Sequence, residues 1–154
     1  MLDRKLKVER GQSASLHPRY LNRCQDLPDE DRAQEADVIL ARFLTGQIDL
    51  LAPSHINYEM SNVMWTAVHR GRVTEELARE SLVEFLSLAI DRVGGERLAL
   101  EGFDVGRSYG CAAYDGLYLA LALHLAIPFL HADDRLRNIL AGRFPHELHI
   151  DSFV

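Results

Sequence analysis

The chain has 154 residues, a formal net charge of −6, 47% hydrophobic residues and 26% charged residues. This length and composition predict one domain with a substantial apolar core, and they exclude a disordered chain or two full-sized domains. The acidic balance argues against a protein that binds nucleic acid by overall charge alone, although residues 1–26 hold six basic and three acidic residues.

Cysteine content and hydropathy indicate the compartment. The two cysteines, Cys24 and Cys111, are too few for a disulfide framework, and no Cys/His cluster has zinc spacing. The N-terminus has charges but no apolar stretch behind them, so we expect no signal peptide. The most apolar segment, residues 117–130, is shorter than a membrane span and is interrupted by His124 and Pro128. We therefore expect a cytoplasmic protein that does not enter a membrane.

Helices and short apolar strands alternate along the predicted domain, which we expect to span residues 27–154 after an atypical polar segment at 1–26. Helices are predicted over residues 28–44, 54–70, 74–86, 96–109, 114–125 and 134–140. Strands are predicted over residues 48–52, 90–93, 128–130 and 149–150, with a further candidate at 6–8. The alternation is typical of βαβ units, so it predicts one α/β domain with a mostly parallel sheet covered on both faces.

Three carboxylates stand where an apolar element meets a polar break. Glu59 lies one turn into the helix after strand 48–52, Asp115 opens the helix at 114–125, and Asp133 follows strand 128–130. Ligands of open parallel sheets bind at the carboxyl ends of the strands, so we expect these acids to meet there. Neighbouring carboxylates repel one another unless a cation bridges them, and Mg²⁺ or Mn²⁺ prefers oxygen ligands. The pattern predicts a divalent-metal site that can activate water and polarise a phosphoryl group.

Each acid also has an ordinary structural explanation. Asp115 suits the positive end of a helix dipole, and Glu59 suits a solvated helix surface. Asp133 or Asp134 can cap the helix that follows, and Asp134 is the better candidate for the cap. Asn62 lies one turn beyond Glu59, where it would either hydrogen-bond a ligand or metal-bound water or remain a surface residue.

Three segments resemble the PIN-domain family in its own order. Residues 113–122, Ala-Tyr-Asp-Gly-Leu-Tyr-Leu-Ala-Leu-Ala, resemble the signature Tyr-Asp-Ala-x-Tyr-x-Ala-x-Ala. Residues 128–136, Pro-Phe-Leu-His-Ala-Asp-Asp-Arg-Leu, are similar to the family's Pro-Leu-Thr-Ala-Asp-x-Arg-Leu element, with a histidine where a hydroxyl residue is usual. Residues 52–64 are similar to the segment that holds its conserved Glu. The match covers about residues 27–150, and the nearest subgroup is the VapC-type toxin of toxin–antitoxin systems.

The resemblance implies a three-layer α/β/α domain and a metal-dependent endoribonuclease that cleaves single-stranded or loop RNA with Mg²⁺ or Mn²⁺. It implies that Glu59, Asp115 and Asp133 are the metal-site carboxylates. It also implies a homodimer that a cognate VapB-type antitoxin silences by inserting into the site. Arg135 is one of several arginines expected either to contact RNA phosphates or to lie solvated at the surface.

The family's first carboxylate is missing from its usual place. PIN domains normally open with an apolar strand and an Asp followed two residues later by Ser, Thr or Asn, and residues 1–26 contain no such element. Glu9 is one substitute, and Ser13-Ala14-Ser15 resembles the motif without its acid. Part of residues 1–26 must fill the strand's place, because its neighbours would otherwise keep unpaired backbone groups.

The change in character at about Leu27 leads us to expect an altered N-terminus. Two hypotheses stay open at this point. The chain is either a ribonuclease with impaired activity, or an inactive PIN-like protein that binds an antitoxin or self-associates.

Overall fold

The computed structural model describes residues 13–14 and 33–153, in which helices and short strands alternate. The helices are α1 (Ala33–Leu44), α2 (Ile56–His69), α3 (Glu75–Ser87), α4 (Glu96–Tyr109), α5 (Ala113–Leu125) and α6 (Asp134–Leu140). The strands are β1 (Ser13–Ala14), β2 (Leu51–Pro53), β3 (Asp91–Val93), β4 (Phe129–His131) and β5 (Glu147–His149), and a 3₁₀ turn at Ile150–Ser152 follows β5.

Every strand pairing within these residues is parallel, as the alternation predicted. β4 lies between β1 and β5, with Phe129 opposite Glu147, and β2 pairs with β3, with Leu51 opposite Asp91. Parallel strands need a crossover connection, and the helices supply it. The carboxyl ends of β2 and β4 therefore lead directly into α2 and α6, the helices that begin at the predicted site.

β1 supplies the strand that the sequence analysis required from residues 1–26. Ser13 pairs with Phe129 and Ala14 with Leu130, and Cα atoms of β1 also approach those of β2 within 8 Å. The alternative strand at residues 6–8, and Glu9 after it, lie outside the described residues. The strand that pairs with β4 therefore carries no carboxylate in its two residues.

Most predicted elements are confirmed, with shifts at their ends. α2, α3, α4 and α5 lie within one or two residues of prediction, and the Thr74 hydroxyl caps α3 by accepting from the Leu77 N–H at 3.2 Å. The predicted start of α1, residues 28–32, lies outside the described residues. β2 begins three residues later than predicted and includes Pro53, which cannot donate to a ladder. The next N–H, of Ser54, donates instead to the Val93 carbonyl at 2.7 Å.

Helix α5 is buried around most of its circumference. Leu119 and Ala122 belong to the main core, which also contains Phe129, whereas Ala120 and Leu121 belong to a second cluster. A helix between two apolar clusters needs apolar residues on more than one face, which explains the nearly continuous apolar sequence here. No helix in the described part of the chain is long and apolar enough to span a bilayer.

Three glycines bring the backbones of α4 and α5 together. Gly116, in the first turn of α5, faces Gly102 and Gly106 of α4, and an added Cβ at Gly116 would lie 2.8 Å from the Gly106 nitrogen. Only a residue without a side chain permits this approach. The contact fixes the start of α5, and Asp115 precedes Gly116 directly.

Arg92 on β3 connects the second sheet to its helices. Its Nε donates to the Asn57 side chain of α2 at 2.8 Å, and its terminal nitrogens donate to the carbonyls of Leu88, Ile90 and Phe85 at 3.1–3.2 Å. A partly buried guanidinium is well satisfied by such an arrangement. Arg92 therefore stabilises the β2–β3 unit that leads into α2.

Candidate active site

Asp115 is the electrostatic centre of the candidate site. It lies half-buried in the first turn of α5. Burial raises its pKa most, a backbone hydrogen bond from Ala112 lowers it, and the charges of Asp133 and Glu59 raise it further. Arg135 lowers the pKa of Asp115 by a smaller charge interaction. The structure thus brings Glu59, Asp133 and Arg135 within electrostatic range of Asp115.

Glu59 is held by two aromatic residues. It lies in the first turn of α2 with 45% of its side chain exposed. The Tyr118 hydroxyl of α5 donates to Oε2 at 2.7 Å, and Nε2 of His55 lies 3.3 Å from Oε1 without the alignment of a hydrogen bond. Burial, and then the hydrogen bond to Glu59, raise the pKa of Tyr118, so this hydroxyl remains a donor. The carboxylate is therefore fixed in orientation while part of it stays accessible.

Asp133 follows β4 and caps α6. Its Oδ1 accepts a hydrogen bond from the Leu136 N–H at 3.0 Å. The prediction that Asp134 is the cap is therefore wrong: Asp134 is the first residue of the helix, and Asp133 has the extended backbone that an N-cap needs. Capping occupies one oxygen of an exposed side chain, so it does not prevent Asp133 from binding a cation through the other.

The supporting residues occupy different places. Asp134 has Oδ1 3.5 Å from Nε2 of the buried His149, so it faces the β5 side of α6. Arg135 is exposed and acts on Asp115 by charge alone. Asn62 is exposed on α2, and its backbone carbonyl accepts a hydrogen bond from the Thr66 hydroxyl at 2.7 Å. The site roles of all three stay predictions.

His131, which takes the place of the usual hydroxyl residue, is a packed side chain. It is 2% exposed, stacks on Phe129 with centroids 4.9 Å apart, and has Nε2 3.2 Å from Oε1 of Glu147. Burial lowers the pKa of His131, and the Glu147 carboxylate opposes that shift. Its ring contacts His149 edge-on at 5.2 Å, so two buried histidines support the end of β4.

Sequence reasoning missed His55 and Tyr118, the two residues that hold Glu59. Helical spacing offered a signal for each of them. His55 precedes Glu59 by four residues, and Tyr118 follows Asp115 by three, so each pair lies on one helix face. The hydrogen bond from Tyr118 to Glu59, however, depends on how α5 packs against α2, which spacing alone does not determine.

The carboxylate oxygens of these acids are suitable ligands for a hard divalent cation, and its positive charge would offset the repulsion of Asp115 by Asp133 and Glu59. The number of possible ligands close together is nevertheless small. Among residues 33–153, no three His, Cys, Asp or Glu side chains lie close enough together to hold a metal ion. β1 adds no acid at Ser13 or Ala14.

A family profile and a solved structure are similar to this chain. The sequence profile described as the PIN domain matches residues 27–140. A solved structure, that of PAE2754 from Pyrobaculum aerophilum, is similar in fold, with a TM-score of 0.62 and 19% identity over 93% of this chain and 92% of that chain. A comparison with curated protein sequences gives no match. At 19% identity the solved structure supports the α/β fold alone.

Proposed function

This chain belongs to the PIN-domain family, and we propose that it is a metal-dependent endoribonuclease of the VapC toxin type. PIN domains are commonly nucleases that use divalent metals, so nuclease descent follows from the family itself. The proposed substrate is single-stranded or loop RNA, the proposed metal Mg²⁺ or Mn²⁺, and the proposed partners a VapB-type antitoxin and a second copy of the chain.

The observation that carries the proposal is that Glu59 and Asp133 lie within electrostatic range of Asp115, which is half-buried at the start of α5. Burial raises the pKa of Asp115 most and the charges of Asp133 and Glu59 raise it further, and an acid perturbed in this way is typical of a functional site. In the proposal, Asp115, Asp133 and Glu59 hold the cation. When bound, it would polarise the scissile phosphate and make its bound water more acidic.

The chain's own residues have separate tasks in this scheme. Tyr118 orients the Glu59 carboxylate through its hydrogen bond, and His55 packs against Tyr118 with Nε2 3.3 Å from Oε1 of Glu59. Arg135, which is exposed and interacts with the charge of Asp115, is proposed to contact a non-bridging phosphate oxygen, as guanidinium groups do in nucleic-acid sites. Asn62 is proposed to contact the ligand or its water.

Mn²⁺ titration by calorimetry tests the proposal. We expect the wild-type protein to bind Mn²⁺ at millimolar concentration or tighter, and Asp115→Asn to weaken that binding by at least about tenfold because it removes the central carboxylate. Asp104→Asn, an exposed acid on α4, is the matched control and should bind as the wild type does. Manganese-dependent cleavage of an unstructured RNA by the wild type, absent in Asp115→Asn, completes the test.

The second candidate function is that of an inactive PIN protein that only binds an antitoxin or another copy of itself. It is favoured by β1, which carries no carboxylate at Ser13 or Ala14. No Mn²⁺ binding by the wild type would support this candidate and contradict the first. Ser13→Asp places an acid at the position where the family motif has one. A gain of Mn²⁺ affinity in this variant would mean that the missing ligand alone limits the site.

A further inference from the structure

Tyr114 presents an aromatic ring to solvent beside the acids. It is the second residue of α5, directly before Asp115, and is 67% exposed. One side of its ring is occupied by His55, with ring centroids 5.5 Å apart and planes inclined by 26°. The outer side of the ring is open, and an exposed aromatic face can stack on a planar ligand.

His55 is held in place as a support for that ring. It lies directly before α2 and packs edge-on against Tyr118, with centroids 5.1 Å apart. Both ring nitrogens are buried without a hydrogen-bond partner among the described residues. Packing between two tyrosines, rather than hydrogen bonding, therefore orients the His55 ring.

The stack extends to the acids. Tyr118, which contacts His55, donates its hydroxyl hydrogen bond to Glu59, and His55 lies 3.3 Å from the same carboxylate. Tyr114 is joined to Asp115 through the backbone. Because the Cα atoms of neighbouring residues lie about 3.8 Å apart, a ligand on Tyr114 would lie near a phosphate bound at Asp115.

We propose that Tyr114, backed by His55, is a stacking site for an unpaired nucleobase next to the cleaved phosphate. The inference rests on the proposed nuclease function, since it takes RNA as the ligand. Unpaired bases stack on aromatic side chains in most single-stranded recognition, and each such stack is sequence-tolerant. The site would thus select unpaired RNA over duplex without reading the sequence.

The chain contains a matched control for this stack. Trp65 on α2 is 62% exposed and stacks on His69, with centroids 5.0 Å apart and planes inclined by 5°. Trp65 is six residues beyond Glu59, roughly 9 Å along the helix axis. Trp65 is thus an aromatic ring of similar exposure that also stacks on a histidine, but it is not adjacent to Asp115 in the chain.

The experiment measures the binding of short oligoribonucleotides that contain 2-aminopurine, whose fluorescence falls when it stacks. Asp115→Asn serves as the parent because it should not cleave RNA. We expect Tyr114→Leu to weaken binding by about five- to a hundredfold and to abolish the quenching at one position of the oligonucleotide. Tyr114→Phe should bind within about threefold of the parent, and Trp65→Leu should be unchanged.

An abasic oligonucleotide separates stacking from an indirect effect on the acids. If Tyr114 acts by stacking, the penalty of Tyr114→Leu disappears when the stacked base is removed. An equal penalty with the abasic strand, or equal binding by parent and Tyr114→Leu, would overturn the inference. Failure of the parent to bind any unpaired strand would overturn it as well.

The two proposals fail in distinguishable ways. Wild-type cleavage with Mn²⁺ reports on the nuclease function alone. If the wild type cleaves RNA and Tyr114→Leu binds the oligoribonucleotide as tightly as the parent does, the nuclease function is supported and the stacking site is contradicted. If the wild type does not cleave RNA but the quenching depends on Tyr114, the protein is a PIN domain that binds RNA without cleaving it.

Discussion

The contact between α4 and α5 makes Gly116→Ala the most informative single substitution for how the fold holds its site. An added Cβ would clash first with the carbonyl oxygen of Gly102, and it would lie 2.8 Å from the nitrogen and 2.9 Å from the Cα of Gly106; all three are backbone atoms that cannot rotate away. Carbon atoms rest roughly 3.5–4.0 Å apart, so the two helices must separate by about 1 Å. Separation at this point moves Asp115 with the start of α5.

The free-energy change combines two opposing contributions. Overpacking a well-filled contact costs about 1–3 kcal/mol, and the backbone origin of this clash places it near the upper value. Alanine is a better helix former than glycine by about 1 kcal/mol, which offsets part of that cost. We expect a net loss of about 2 kcal/mol in the free energy of unfolding, which lowers Tm by roughly 4–8 °C for a chain of this size.

Urea and thermal unfolding of wild type, Gly116→Ala and Ala99→Gly measure both contributions. Ala99 is exposed on α4, so Ala99→Gly should cost about 1 kcal/mol through helix propensity alone. Gly116→Ala should also weaken Mn²⁺ binding, because the start of α5 moves. If Gly116→Ala proved as stable as the wild type or more so, the close packing of α4 on α5 would not be what positions Asp115.

Asp115→Asn should raise Tm at neutral pH. The pKa of Asp115 is raised above its ordinary value of 3.8 in the folded state, so the folded protein loses stability as the pH rises through these two values. The variant cannot ionise at this position, so its stability should not show this loss. For the same reason, Mn²⁺ binding by the wild type should weaken on acidification at a higher pH than an ordinary aspartate would give, as calorimetry across pH can show. Tyr118→Phe should cost about 1 kcal/mol in urea unfolding, because the half-exposed Glu59 carboxylate regains water in place of the hydroxyl. Arg92→Lys should cost about 2–3 kcal/mol by the same measurement, since an ammonium cannot reach Asn57 and three carbonyls together; a loss below about 0.5 kcal/mol would contradict its connecting role.

The fold was predictable wherever a periodic apolar pattern decides the structure. α5 is the clearest case, because burial against two clusters left almost no polar residue in the segment. β1 was not predictable as a strand, since Ser13–Ala14 has neither apolar alternation nor β-branched residues. Its pairing depends on the neighbouring Phe129 and Leu130, which is tertiary context that local sequence does not contain.

The places of the three acids relative to the helices and strands were predictable, but their side-chain contacts were not. Glu59 follows β2, Asp133 follows β4 and Asp115 lies at the start of α5, as the sequence predicts; their role as a site stays a prediction. The choice between Asp133 and Asp134 as the cap depends on a backbone angle that sequence does not give. The support of Glu59 by Tyr118 depends likewise on how α5 packs near α2, which local sequence does not determine.

Three features of the candidate site suit a ligand. Burial and two like charges raise the pKa of Asp115, Tyr114 exposes a large ring, and the His55 nitrogens lack hydrogen-bond partners among the described residues. In contrast, Arg92 at the other sheet is fully engaged. Local rules of folding are usually broken where function requires it, because the cost is recovered when a ligand binds. A bound cation would offset the repulsion among the acids, and an unpaired base would cover the Tyr114 ring. One nucleic-acid ligand with its metal would therefore do both.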